Sequence, residues 1–509
     1  MKKTKKVMAL LLSVIMILAM SATVFAANIT ISDKDTGSTY VAYRLLNLTT
    51  SATNGKINYS YTLNSKYKNI LTTTTGKNTE KDIIDYISKL DQKDIRTFAD
   101  RIYKAIVGAA ISEDETANGK EFTNVDQGYY LIAEKTVTDP KGSYSLVMLD
   151  TLGQENITVT TKEDTPTVEK KVKDVNDTDG TTSKWQDSAD ADVGDELEYK
   201  LTGTVSEKIA NYETYSYEFV DTMTNLTYVD GSYKVEVDGI DCTDQFNVAW
   251  DENTKKLTVT TSDLKKLTNK DSNQLIKITP STKVVVTYKA TLDANAVIGS
   301  AGNPNTVYLK YSNNPYGDGI GETPKDKNIV FTYKVVANKV DENKKPLTGA
   351  AFELFKHIKN SDGSMAWVSR GVVGATKNVD GTYTADSKKP TTFSWERLDD
   401  GEYKIVEVLT PDGYNKIEDQ IFTVTAEHDI VSDNPELTGL SGNAADGSII
   451  TFTSDKTKGS LTTEIENKSG SLLPSTGGIG TTIFYVVGVV LMLGAGVLLI
   501  TKRRMSAKH

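Results

Sequence analysis

Short runs in which apolar and polar residues alternate with a period of two recur along most of this chain, and they commit it to β-structure. Between about Pro166 and Asp326 the runs read YSYEFV, YKVEVDG, KLTVTT and TKVVVTYKATL, separated by Asp, Asn and Gly turns. A period of two puts successive side chains on opposite faces of a strand, and short strands so spaced are the signature of a two-sheet sandwich. Residues 329–468 repeat the style, with turn clusters at Asn378–Gly381, Asp399–Gly401 and Gly442–Asp446. Residues 28–163 open on NITISD and close on ENITVTTK, with one departure. Across Asp82–Val107 the apolar residues Ile83, Ile84, Ile87, Leu90, Ile95, Phe98, Ile102 and Ile106 recur at helical spacing. The fold expected is mainly β: tandem immunoglobulin-like sandwich domains, the first with a helical insertion.

Both ends carry apolar segments. Lys2, Lys3, Lys5 and Lys6, the apolar run Val7–Met20 and the small-residue site at Ala26 have the three parts of a secretory signal. Thr481 to Ile500 is long enough to cross a bilayer, and Lys502, Arg503, Arg504 and Lys508 follow it. The expected division is a signal peptide at 1–26, an N-terminal domain at 27–163, a middle domain at 164–328 and a C-terminal domain at 329–468. Residues 469–509 hold a sorting segment with its transmembrane helix at 481–500. Removing the eight basic residues of the two ends from 58 leaves 50 against 68 acids, a net charge of −18 over 27–476. Such a surface repels polyanions, so no nucleic-acid partner is expected. Cys242 is the only cysteine, so an exported chain of this kind is not toughened by an internal disulfide.

Two internal matches tie the first domain to the third. Thr36-Gly37-x-x-Tyr40-x-x-Tyr43 parallels Thr348-Gly349-x-x-Phe352-x-x-Phe355, and Gly128-x-Tyr130-x-Ile132-x-Glu134 parallels Gly401-x-Tyr403-x-Ile405-x-Glu407. Related folds are the simplest explanation. In the second pair each Glu ends a row of core-facing apolar side chains, where a carboxylate is costly unless it is paired or protonated.

The same parity puts other polar groups on core faces. Lys339 shares a face with Phe331, Tyr333, Val335 and Ala337, and Asn467 shares one with Leu461, Thr463 and Ile465. Lys339, Glu407 and Asn467 can therefore converge inside one domain. In the middle domain Lys170 lies between Val168 and Val172, Asp221 follows Tyr215, Tyr217 and Phe219, and Asn305 and Asn313 flank Val307, Leu309 and Tyr311. Burial drives a Lys amine toward its neutral, nucleophilic form and a carboxyl toward its protonated form. A protonated acid polarises the Asn carbonyl and shuttles protons as the amine attacks and ammonia leaves, giving an isopeptide crosslink. Each residue alone has an ordinary reading: a strand Lys with a packed stem, a turn Asn, half of a surface ion pair.

Near the carboxyl end Leu473-Pro474-Ser475-Thr476-Gly477 precedes the apolar span and the basic tail. This order of parts resembles a cell-wall sorting signal of Gram-positive surfaces. The resemblance implies that a sortase cysteine attacks the Thr476 carbonyl, releases Gly477 onward and passes the acyl group to an amine. The stretches PTVEKKVKD, DVGDELEYKLTGTV, FVDTM, AVIGSAGNPNTVYLKYSNNP and TPKDK look like the middle domain of Spa-type major (backbone) pilins. NKVDENKKPLTGAAFELF, GEYKIVEVLTPDGY and the final ENKSG resemble a Cna-B-type carboxyl-terminal pilin domain. What this implies is a Lys170–Asn305 bond promoted by Asp221, with Asn313 as the fallback, and a Lys339–Asn467 bond promoted by Glu407. It also implies a polymerising lysine at the junction of the first two domains. That place falls on Lys162, although the family's Tyr-Pro is replaced by Thr160-Thr161.

The first domain departs from the pattern. It keeps Glu134, but NITIS has no Lys at the place of Lys339, and Lys34 is too close to the Thr36-Gly37 turn. No crosslink is expected there. The partners implied by the resemblance are a sortase, further copies of the chain in a fibre and a peptidoglycan precursor, with minor pilins and host surface ligands as further candidates. The location implied is the cell wall, with covalent attachment after secretion. The alternative is a monomeric peptidoglycan-anchored adhesin of Cna-B type.

An enzyme is not expected. His357, His428 and His509 have no ligand spacing, Cys242 has no nearby His, and neither G-x-S-x-G nor H-E-x-x-H occurs. His357 and His428 read as ordinary surface or loop residues. DVNDTDG at Asp174–Gly180 resembles a calcium loop, but its Gly falls at the seventh place and Trp185 stands where the bidentate Glu belongs. It is expected to be a turn, and no cofactor or metal is expected.

Overall fold

The computed structural model describes residues 26–32, 39–53, 56–136, 145–160, 165–316, 319–470 and 479–506. The expected leader, Lys34, the Thr36-Gly37 pair, Lys162, the motif Leu473, Pro474, Ser475, Thr476 and Gly477, and His509 lie outside the described residues.

In the first region one sheet has the strand order Lys56–Leu63, Thr39–Thr53, Gly128–Thr136, Leu146–Asp150. It is covered on both faces, as its alternation dictates. Tyr43, Leu45, Leu131 and Ala133 face three helices, α1 (Lys68–Thr75), α2 (Glu80–Ile87) and α3 (Gln92–Gly108). Tyr40, Ala42, Tyr130 and Ile132 face a small sheet of Glu121–Val125, Ala27–Ser32 and Asn156–Thr160. The helical stretch expected over Asp82–Val107 is broken in two. The Asp91 side chain accepts the Asp94 N–H at 2.8 Å, capping a new helix start and ending the continuity that spacing alone implies.

The internal repeat extends to the register. Thr39 pairs with Thr136 and Tyr40 with Glu134; Ala351 pairs with Leu409 and Phe352 with Glu407. Both ladders skip one residue just past the Glu, at Lys135 and Val408, a shared bulge.

The middle region is a sandwich around one aromatic-rich core. One sheet contains Val168–Val172, Glu196–Thr204, Lys283–Leu292 and Lys234–Val237; the other contains Ser188–Asp190, Asp326–Phe331, Asn303–Ser312, Tyr217–Met223, Lys256–Thr261 and Asn247–Asp251. Asp174–Gly180 forms a hairpin turn, with Val175 paired to Thr182 and Asn176 Oδ1 accepting the Thr178 and Asp179 N–H groups.

The last region packs a four-stranded sheet, in the order Thr392–Leu398, Tyr333–Val340, Ser460–Glu466, Phe452–Asp455, against a five-stranded one. The five run Met365–Val373, Ala351–Lys359, Gly401–Leu409, Gln420–His428, Leu437–Ala444. Tyr333–Val340 and Ser460–Glu466, the first and last strands of this sandwich, are parallel neighbours. The terminal helix α4 (Ile479–Ser506) contains an apolar span over Phe484–Arg503, which matches the expected transmembrane segment.

Candidate functional site

Two buried sets of Lys, acid and Asn stand in the two sandwiches. Lys170, Asp221 and Asn305 are 0%, 1% and 0% exposed, and Lys339, Glu407 and Asn467 are 1%, 1% and 0% exposed. No described residue of either trio has water to solvate it, so each polar atom must find its partner inside the protein.

In the middle region Lys170 projects from one sheet and Asp221 and Asn305 from the other. Lys170 pairs with Leu201 in the first sheet; across the core, Asp221 pairs with Val307 and Met223 with Asn305, so acid and amide are diagonal neighbours. Lys170 Nζ donates to Asp221 Oδ2 at 2.5 Å and to Tyr288 Oη at 2.8 Å. Tyr288 Oη donates to Asp221 Oδ2 at 2.6 Å and accepts Asn305 Nδ2 at 2.8 Å. One phenol thus touches all three members of the trio. Tyr199 stacks on Tyr288 at 5.3 Å, and the ammonium lies 5.0 Å from the Tyr199 ring centre. The Lys170 strand is clamped as well, since its N–H donates to Asp326 Oδ2 and its carbonyl accepts Asn328 Nδ2. Burial lowers the Lys170 pKa, and Asp221 opposes that shift. Asn313 lies one residue past the end of the Asn305 strand (Asn303–Ser312), eight residues from Asn305, about 26 Å at the usual rise per residue. It does not share this site.

In the last region the wiring differs. Lys339 lies beside Ile465 on the parallel neighbour strand, and its Nζ donates to the carbonyls of Ile465 at 2.9 Å and Val340 at 3.1 Å. No carboxylate binds it directly among the described residues. Burial therefore dominates, and the Lys339 pKa is lowered to about 8, a value that leaves much of the amine neutral at mildly alkaline pH. Glu407 reaches in from the facing sheet: Oε1 accepts Asn467 Nδ2 at 2.8 Å, and Oε2 accepts the Ile417 N–H at 3.0 Å. The Asn467 N–H donates to the Val340 carbonyl at 3.1 Å, which pins this residue beside the lysine strand.

Glu134, the counterpart of Glu407, accepts the Ser145 N–H at 3.0 Å. The inward positions of its neighbouring first strand are Ala27, Ile29 and Ile31, all apolar. None of these three positions carries an amine.

Sequence parity finds both trios but misses Tyr288 and Tyr199. Tyr288 shares an inward face with Val284, Val286 and Ala290, a signal available in TKVVVTYKATL, yet nothing in that pattern separates a hydroxyl that joins a site from one more core ring. The reading of the two histidines needs correction. Both lie on strands: His357 stacks on Trp367 at 4.4 Å and binds Glu402, while half-buried His428 bonds Ser188 Oγ at 2.7 Å in the contact between the middle and last regions.

Comparison with known proteins agrees with this architecture. Residues 333–436 match a family described as SpaA, a prealbumin-like fold domain, and residues 465–506 match the LPXTG cell wall anchor motif. The chain is 29% identical over 262 residues to the trypsin-resistant surface T6 protein of Streptococcus pyogenes serotype M6, covering 43% of this chain and 48% of that protein. The match thus spans about half the length of the relative. The solved structure of the T6 backbone pilin of serotype M6 Streptococcus pyogenes, a modular three-domain protein, superposes with a TM-score of 0.50 at 19% identity. That likeness covers 88% of this chain and all of that one, and it establishes a shared fold. The chain is homologous over part of its length to the T6 surface protein, it carries a SpaA-type domain and an LPXTG cell wall anchor motif, and it is a surface protein of the cell wall.

Proposed function

We propose that the chain is the structural backbone subunit of a covalently polymerised pilus. Sortase cleaves between Thr476 and Gly477, and the Lys162 amine of another copy displaces the sortase thiol from the Thr476 acyl group, forming an amide. Repetition gives a head-to-tail fibre, a heterologous contact that does not close on itself. Within each subunit the neutral Lys amine attacks the Asn side-chain carbonyl, a C–N bond forms, the Asn C–Nδ2 bond breaks, and Nδ2 departs with the Lys proton as ammonia. Lys170–Asn305 and Lys339–Asn467 are the two bonds proposed. The reaction occurs once per site and without turnover, so the chain is no enzyme in the usual sense.

The observation that carries this reading is the burial of two Lys/acid/Asn sets, each with its acid hydrogen-bonded to the lysine or the asparagine, in a wall-anchored chain. A fibre under tension cannot rely on the few kcal/mol that hold an ordinary domain folded. A bond between the first and last strands of a sandwich stops it from unravelling.

The test is a denaturing immunoblot of wall extracts from cells that hold the chain and its cognate sortase, comparing wild type with Lys162→Ala. A high-mass ladder that disappears in the variant is the expected result. A ladder that persists moves the acceptor to another lysine, and a single wall-linked band in wild type points to the monomeric adhesin.

A further inference from the structure

Where the middle and last regions meet, carboxylates outnumber cations in a space that water barely reaches. Lys356, fully buried, binds Asp177 at 3.1 Å, Asp192 at 2.9 Å and Asp399 Oδ2 at 3.0 Å, and Arg370 binds Asp192 at 2.6 Å. That half of the junction is neutralised by side chains. In the other half carboxylates face one another, with Asp399 shared between the two. Asp190, from the strand Ser188–Asp190 of the middle region, lies against Asp399 and Asp400 of the last region, with one carboxylate oxygen of each within 4.8 Å of the others. A hard cation with ligand distances of about 2.4 Å spans such a set. Nearby His428 Nε2 is 3.7 Å from both Asp190 and Asp174, too far for a hydrogen bond.

Two further observations point into this space. Asp190 Oδ2 and Asp399 Oδ1, on residues 5% and 1% exposed, have no hydrogen-bond partner. Tyr333 is 0% exposed and faces Asp190, Asp399 and Asp400, yet its hydroxyl closes no well-formed hydrogen bond with any of them. Buried polar atoms left bare in this way cost free energy unless something binds them.

We propose that Asp190, Asp399 and Asp400 bind one hard divalent cation, calcium or magnesium, at the junction of the middle and last regions, with the Tyr333 hydroxyl beside it. Ligands from both sides make the ion a clamp between two regions that no covalent crosslink joins. Asp400 Oδ1 already accepts Asn176 Nδ2 from the middle region at 2.9 Å, so the two sides are held in register before an ion arrives.

The test is equilibrium dialysis of the chelator-treated full chain against millimolar calcium, then magnesium, with bound metal measured by elemental mass spectrometry. One ion per chain is expected, lost in both Asp190→Asn and Asp400→Asn. Hydrogen exchange of the wild-type chain supplies a readout independent of variant folding. Added ion is expected to slow exchange in 188–192 and 398–402 and to leave the first region unchanged. No stoichiometric ion at millimolar concentration, an ion that both variants retain, or unchanged exchange at the junction overturns the proposal.

Discussion

The two buried trios contain the same chemical groups and connect them in opposite ways. In the middle sandwich the acid sits on the nucleophile: Asp221 binds Lys170 directly and reaches Asn305 through Tyr288. In the last sandwich the acid sits on the leaving group, since Glu407 binds the Asn467 amide while Lys339 donates to backbone carbonyls. The first lysine crosses between sheets and the second reaches a neighbour within its own sheet. What the pair shares is burial and an acid hydrogen-bonded to at least one of the two reacting groups. Those conditions, rather than one fixed geometry, are what the proposed crosslinking chemistry requires. The first region marks the limit: it keeps the acid, Glu134, and replaces the amine face with Ala27, Ile29 and Ile31.

The largest expected effect comes from removing either bond. Asn305 follows Lys170 by 135 positions and Asn467 follows Lys339 by 128. Loops so similar predict similar losses for Asn305→Ala and Asn467→Ala, about 5 kcal/mol each on the chain-entropy account of a crosslink. Denaturant unfolding of each variant checks this, and a clear inequality would assign the difference to strain or packing at one site.

Tyr288→Phe sharpens the contrast in wiring. Removing the Tyr288 hydroxyl, which bonds both Asp221 and Asn305, is expected to slow the middle bond about 100-fold, within the range for positioned acid–base groups. The last bond is expected to form at its usual rate. A mass-spectrometric time course on freshly synthesised chain reads both at once, and equal slowing of both would remove the relay from the account.

A pH series on Asn467→Ala tests the uncompensated lysine. Lys339 has a folded pKa of about 8 against an ordinary value of 10.5, so between those values the unfolded chain binds more protons than the folded one. Stability of the uncrosslinked last region is therefore expected to rise with pH across that window, by about 3 kcal/mol at most. The smallest effect belongs to Glu134→Gln. An amide oxygen still accepts the Ser145 N–H, so a loss of about 1 kcal/mol or less is expected, with no change in the ammonia balance of the chain.

Much of this was legible from alternation. A period of two assigns Lys339, Asn467, Lys170 and Asp221 to inward faces without any knowledge of tertiary structure, and the repeated Gly-x-Tyr-x-Ile-x-Glu reports a bulged register shared by Glu134 and Glu407. Alternation alone does not separate Asn305 from Asn313, and the preference for Asn305 came from the resemblance; the structure shows its physical basis, since Asn305 shares the Tyr288 hydroxyl with Lys170 across the core. The break in the helical stretch hung on the Asp91 cap, a local competition that apolar spacing does not record. The junction acids were invisible for a different reason. Asp190 and Asp399 are distant in sequence, and nothing in either local pattern specifies that two sandwiches dock there.

The most direct measurement is an intact mass of the mature secreted chain followed by peptide mapping. The account predicts two missing ammonias, one in a branched peptide joining Lys170 to Asn305 and one in a branched peptide joining Lys339 to Asn467. An unmodified mass, or an ammonia loss mapped to the first region, would contradict it.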